Sequence, residues 1–243
     1  MNIAFVRLEF KRLVTNRRFW IFSLSLPVVL YLLEISAYGK GDVPGTHISY
    51  AAYLMCSFAA WGSIHATLIV GSRIAIERSS GWQRQLRLTP LRPQAYLAAK
   101  VTVGMMITLP APILMSIVGR FNDVHLSSGD WAKLVLGTWV ATLPFAVLGT
   151  LLGQMAKAET VSGYFGAALL LLGFLGGVLM PTTSFPDWLQ HVSKVMPSYW
   201  LADIGRAAVT GISDLGTAIG MLAAWTVVLG VAVVFRYQRD SAR

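Results

Sequence analysis

Six runs of mostly apolar residues, each near the roughly 20 that a helix needs to cross a bilayer, leave this chain few folds to choose from. They are Phe19 to Ala37, Tyr50 to Ser72, Val101 to Gly119, Trp131 to Gly153, Val161 to Pro181 and Leu215 to Phe235. Hydrocarbon offers no partner to a backbone amide or carbonyl, so runs of this length are helices rather than strands of about ten alternating residues. Of 243 residues, 55% are hydrophobic and 13% charged, and mean hydropathy is +0.61; soluble domains carry about a quarter charged residues. The fold class expected is an all-α polytopic membrane protein with six transmembrane helices. It forms a single transmembrane domain over residues 1–243, with no room for a separate catalytic domain.

Most of the 20 Lys and Arg fall on one side of that bundle. Arg7, Lys11, Arg12, Arg17 and Arg18 precede the first run; Arg73, Arg78, Arg84, Arg87, Arg92 and Lys100 lie between the second and third; Lys157 follows the fourth and Arg236, Arg239 and Arg243 the sixth. By the positive-inside rule these connections and both termini are cytoplasmic, in the cytoplasmic (inner) membrane. The net charge of +9 therefore flanks spans, which points to anionic lipid headgroups as partners and away from nucleic acid. The first run is longer than a signal-peptide core and no small-x-small site follows it, so it is read as retained. The one cysteine, Cys56, lies within the second run and excludes an intrachain disulfide.

Over residues 1–18, Ile3, Val6, Phe10 and Leu13 recur at helical spacing apart from Arg7, Lys11 and Arg18, predicting an amphipathic helix in the cytoplasmic interface with its apolar side in the acyl boundary. Gly149 and Gly153, Gly173 and Gly177, and Gly216 and Gly220 stand four apart, each pair on one helix face where small residues let helices approach. Pro27, Pro110, Pro112 and Pro144 fall inside runs and should kink them or strand carbonyls. The connection 182–214 carries Pro186, Trp188, Pro197, Tyr199 and Trp200, with apolar residues at helical spacing from Phe185 to Met196. These predict short re-entrant or interfacial helices in the outer leaflet between spans five and six, and an outer gate.

Several chemistries lack their residues. No glycine-rich phosphate loop exists; the Gly-Lys pair Gly39-Lys40 is followed by Gly41 in an outer loop, so any ATP and magnesium belong to another chain. His47, His65, His125 and His191 sit on different elements without metal-ligand spacing, so no metal site and no cofactor bound by this chain are expected. Ser63 and His65 are two apart and point to different sides of a helix, which argues against a hydrolase. Glu34 is the one acidic residue placed inside a span; it either faces the substrate pathway or reaches the headgroups.

The segment 73–100 orders its residues as Glu77-Arg78, Gly81, Leu86 and Thr89-Pro90, with Lys100 leading into the next run. This order resembles the permease subunit of type-2 ATP-binding-cassette (ABC-2) transporters, as do Pro181, Pro186, Trp188, Pro197, Tyr199 and Arg206 in the outer connection. Trp82 departs from the threonine frequent there. The resemblance implies a non-enzymatic permease that meets a second permease copy, identical or related, and docks two ATP-binding subunits. Glu77, Arg78, Gly81, Arg84, Leu86, Arg87, Thr89 and Pro90 would couple those subunits to the spans, with a helix around 78–88 passing the motion. It further implies export of a hydrophobic or amphipathic compound such as a drug, antibiotic or lipid. Lipid-linked polysaccharide export, sodium export, and a scaffold or sensor that docks a regulatory partner and moves nothing remain open.

Overall fold

The structure, a computed structural model, describes residues 3–38, 41–43, 48–81, 93–211 and 214–241. Among these residues the chain is helices joined by short connections, with one isolated antiparallel bridge pairing Asp42 with Ser49. The helices are α1 (Ile3–Val14), α2 (Arg17–Trp20), a π-helical turn (Ile21–Ser25), α3 (Leu26–Tyr38), α4 (Tyr50–Ser79), α5 (Pro93–Thr108) and α6 (Pro110–Phe121). There follow α7 (Ser128–Ala141), α8 (Leu143–Met155), α9 (Val161–Leu175), a short turn (Thr182–Ser184), α10 (Asp187–Val195), α11 (Pro197–Thr210) and α12 (Leu215–Ser241).

Among the described residues, four helical stretches are long and apolar enough to cross a membrane: Tyr50–Ser79, Ala95–Phe121, Ser128–Met155 and Leu215–Arg239. The first and fifth apolar runs give shorter apolar helices, Ser23–Ala37 and Val161–Leu175. Inside the first of these helices lies Pro27. Its ring has no N–H and crowds the carbonyl four residues back, and the chain widens just before it, with the Leu26 amide donating to Ile21 O five residues away. Gly62 of α4 faces this turn: a methyl there would lie 3.3 Å from the Pro27 ring and 3.4 Å from Ser23 O.

Helix α4 is the axis of the bundle. Ser49 caps its start by accepting from the Ala52 amide. The helix is buried along nearly all its length and packs against α3, α5, α6, α8, α9 and α11. The closest crossing is with α8. A methyl at Gly71 would sit 2.0 Å from Gly149 O, one at Gly149 would sit 2.9 Å from Thr67 O, and one at Gly153 would sit 2.1 Å from Gly71 O. The expected Gly149/Gly153 pair thus forms a helix contact, with Gly71 as a third member that spacing did not reveal. The other two pairs behave differently. Gly177 lies in the turn that ends α9, at a φ of +64°, and a methyl at Gly220 on α12 would meet nothing within 4 Å among the described residues.

Proline breaks two of the long stretches, at Leu109 and Thr142, and both breaks find donors. Trp139 Nε1 donates to Met105 O at 2.7 Å, Thr108 Oγ1 donates to the same carbonyl at 2.8 Å, and Thr142 Oγ1 donates to Trp139 O. One tryptophan so links the two kinks, its indole donating across to the first and its carbonyl accepting at the second.

Candidate functional site

At one end of α4, three elements far apart in sequence converge on a buried lysine. Lys100 of α5 is fully buried; its Nζ donates to Glu9 Oε2 of α1 at 2.6 Å and to Glu77 Oε1 of α4 at 2.6 Å. The Tyr96 hydroxyl donates to Glu77 Oε2 at 2.9 Å, and the Lys100 ammonium stands 5.4 Å from the Tyr96 ring centroid. Arg12 Nη1 lies 3.8 Å from the other Glu9 oxygen. A single buried ammonium shared by two carboxylates is held only where every neighbour is in place, since removing one partner strands a charge.

The helix hydrophobic pattern explains how Glu9 arrives there. Phe5, Glu9 and Leu13 are four apart and form the buried face of α1, with Phe5 and Tyr96 rings 6.0 Å apart. Leu13 is completely buried, in a cluster with Phe19, Ala66, Val70, Val103 and Ile107. Of the expected apolar stripe, Leu13 thus faces the bundle with Val6 and Phe10 partly buried beside it, while Ile3 is exposed, as are Leu8 and Val14. Glu9 escaped sequence reasoning. The available signal was one acid on the apolar face between Phe5 and Leu13.

Glu77 and Arg78 stand in the last turn of α4, continuous with the long helix, and the helix expected around 78–88 falls mostly outside the described residues. Arg78 Nη1 donates to Gln154 O near the end of α8. Gly81, at a φ of +73°, ends the helix in a conformation that other residues rarely adopt, its amide donating to Arg78 O at 3.3 Å. Trp82, Arg84, Leu86, Arg87, Thr89 and Pro90 lie outside the described residues. Glu34 sits half-buried on α3, one turn from the fully buried Tyr31, and takes no part in the Lys100 network. Ser63 Oγ donates to Ala59 O at 2.8 Å, while His65 Nδ1 lies 3.3 Å from Ser23 Oγ, so these two are not brought together.

The opposite end of α4 holds a second buried cation. Arg206 of α11 donates from Nη1 to the Tyr53 hydroxyl at 3.1 Å and to Gly177 O at 3.3 Å, and its guanidinium lies 5.0 Å from the Tyr53 ring centroid. Asp203, one turn earlier, has its carboxyl raised above the usual range by burial, partly offset by Arg206. Pro197 opens α11 and is buried; Tyr199 and Trp200 stand edge to face at 5.1 Å. Trp200 Nε1 donates to Lys194 O at 2.7 Å. Pro186 precedes α10, whose Trp188, Val192 and Val195 form an exposed apolar stripe, Trp188 at 67%.

Comparison with known proteins agrees over most of the chain. Residues 40–235 match the model of a family described as ABC-2 family transporter protein. Named as a transport permease, YvfS of Bacillus subtilis is 34% identical over 222 residues, covering 89% of either chain. DrrC of Mycobacterium tuberculosis, named as a doxorubicin resistance ABC transporter permease, is 24% identical over 230 residues, covering 90% of this chain and 81% of that one. YadH of Escherichia coli, named as an inner membrane transport permease, is 25% identical over 225 residues, or 86% and 85%.

Proposed function

Because this chain belongs to the ABC-2 transporter family, we propose that it is the permease of an ATP-driven exporter of a hydrophobic or amphipathic compound. Two copies, or one copy and a related permease, surround the pathway, and two ATP-binding subunits carry ATP and magnesium. The chain crosses the cytoplasmic membrane six times with both termini inside. Residues Arg17 to Tyr38, helical without interruption through the π-turn, form the first crossing, roughly 33 Å long at 1.5 Å per residue.

The observation that carries this reading is the Lys100 network. Glu77 and Arg78 begin the segment 77–90 that docks the ATP-binding subunit, with Gly81, Arg84, Leu86, Arg87, Thr89 and Pro90 making the seat. A displacement of that segment enters α4 directly, α1 and α5 through Lys100, and α8 through Arg78. Four elements then move as one. At the other end, Pro186, Trp188, Pro197, Tyr199 and Trp200 shape the outer gate, with α10 resting its stripe in the outer leaflet. DrrC's name supports a drug-like substrate.

Co-expression with the cognate ATP-binding subunit is expected to give vanadate-sensitive efflux of such a compound from cells or inverted vesicles, abolished by Glu77→Ala and by Arg78→Ala. Wild-type transport by both variants defeats the coupling role. Partner ATPase activity that the permease neither stimulates nor makes substrate-dependent identifies a scaffold instead.

A further inference from the structure

Midway along α4 a histidine meets the widened turn that precedes α3. The Ser23 hydroxyl, completely buried within that π-helical turn, lies 3.3 Å from His65 Nδ1. His65 itself is partly exposed, and its ring lies 23° from the plane of Trp61 with centroids 6.4 Å apart. We infer that His65 presents an N–H from Nε2 to the transported compound, so that the site selects apolar molecules carrying a carbonyl or ether oxygen over hydrocarbons of the same shape. The inference deepens the exporter reading above and rests on it for the placing of α4 across the membrane.

The Ser23 proton fixes the tautomer. A serine or threonine within a helix ordinarily donates to a carbonyl three or four residues back, as Ser63, Thr67 and Ser72 of α4 do. Ser23 donates to no carbonyl among the described residues, and the acceptor its hydroxyl reaches is His65 Nδ1. A hydroxyl sealed from solvent gives its proton to that nitrogen, because leaving it unpaired is the costlier state. A ring that accepts at Nδ1 carries its own hydrogen on Nε2. No atom among the described residues takes that hydrogen, while Trp61 restrains the plane in which it points.

Depth makes this donor expensive without a partner. His65 stands roughly 22 Å from either end of α4 at 1.5 Å per residue, far from headgroups when the helix crosses a bilayer, and an unpartnered N–H in hydrocarbon is penalised. An oxygen acceptor on a passing compound removes the penalty, and a hydrocarbon does not. The approach is open from the coupling end. Glu77, Ile76 and Ile69 line a cavity of about 490 Å³, and His65 is the next residue one turn beyond Ile69 on the same helix face.

The full chain in neutral detergent is photolabelled with benzophenone, itself an apolar ketone, in competition with dibenzyl ketone or with its hydrocarbon counterpart, diphenylpropane. Label is expected on peptides of α4 or the π-helical turn. With protection of His65→Leu as the reference for partition into the micelle, the ketone is expected to protect the wild-type chain about fivefold better than the hydrocarbon. His65→Gln, which keeps an N–H donor, retains most of that preference, and His125→Gln, exposed on the connection after α6, leaves it unchanged. Should His65→Leu not fold, His65→Phe supplies the reference. An imidazole that merely pins the π-helical turn would lower the melting temperature of the leucine variant while the two competitors protect the wild-type chain equally, which overturns the inference. Label confined to other helices overturns it as well. A carbonyl preference without vanadate-sensitive efflux upholds the site and removes the exporter reading, whereas efflux without the preference removes the site alone.

Discussion

Two buried cations, one near each end of α4, are neutralised in opposite ways. Lys100 is enclosed by two carboxylates on other helices, whereas Arg206 relies on a phenol ring, its hydroxyl and a backbone carbonyl. Two anions on one ammonium make an all-or-none joint: each charge tolerates burial only because the others are present. Neutral acceptors make a graded one, where losing a partner weakens the hold without stranding an anion. The end assigned to the ATP-binding subunit is thus built to transmit, and the opposite end to yield.

The largest expected effect is at the first joint. Lys100→Met leaves two carboxylates facing each other and should cost about 3–5 kcal/mol, read by thermal unfolding in detergent. Replacing the whole set, Glu9→Leu with Glu77→Met and Lys100→Met, should regain most of that stability while transport stays lost. Recovery of transport along with stability would reduce the network to packing.

Between the joints, Gly71→Ala drives a methyl into Gly149 O and should cost about 3 kcal/mol, against a near-neutral Gly220→Ala. Equal effects of the two would remove α8 as a partner in the motion. At the second joint, Arg206→Met should cost about 2 kcal/mol. A loss as large as that of Lys100→Met would erase the contrast.

The smallest effect is at Asp203. Burial raises its carboxyl, so the folded state holds the proton more firmly than the unfolded chain does. That contribution is complete below the unfolded value and fades as pH rises through the folded one. Asp203→Asn should therefore flatten the fall in melting temperature as pH rises above about 4, the ordinary aspartate value. An unchanged pH profile would show that Arg206 already balances the carboxylate.

At the Glu77 end the apolar run announced the long helix but not its reach: α4 continues through Glu77 and Arg78 and stops at Gly81, where the expected helix around 78–88 would have run on. The all-helical class followed from the length of the apolar runs. Contacts that join distant segments were not legible. Glu9 meets Lys100 across 91 positions, and its helix reads equally well as lying on a membrane or on protein, because lipid and Leu-rich surface look alike to an apolar stripe. Gly71 finds its counterparts on another helix, and i, i+4 spacing describes only one partner of a crossing. Prolines announced breaks, but not that Trp139 would mend one from the neighbouring stretch.

The bare-backbone crossing at Gly71 has a geometric corollary. With no side chains between the rods, α4 can tilt about that point but cannot slide past it, which makes the crossing a fulcrum. One arm, to Ser79, is roughly 12 Å long and the other, to Tyr50, roughly 32 Å at 1.5 Å per residue. A small swing of the short arm is returned at the far tip reversed in direction and more than doubled, so the lever favours reach over force.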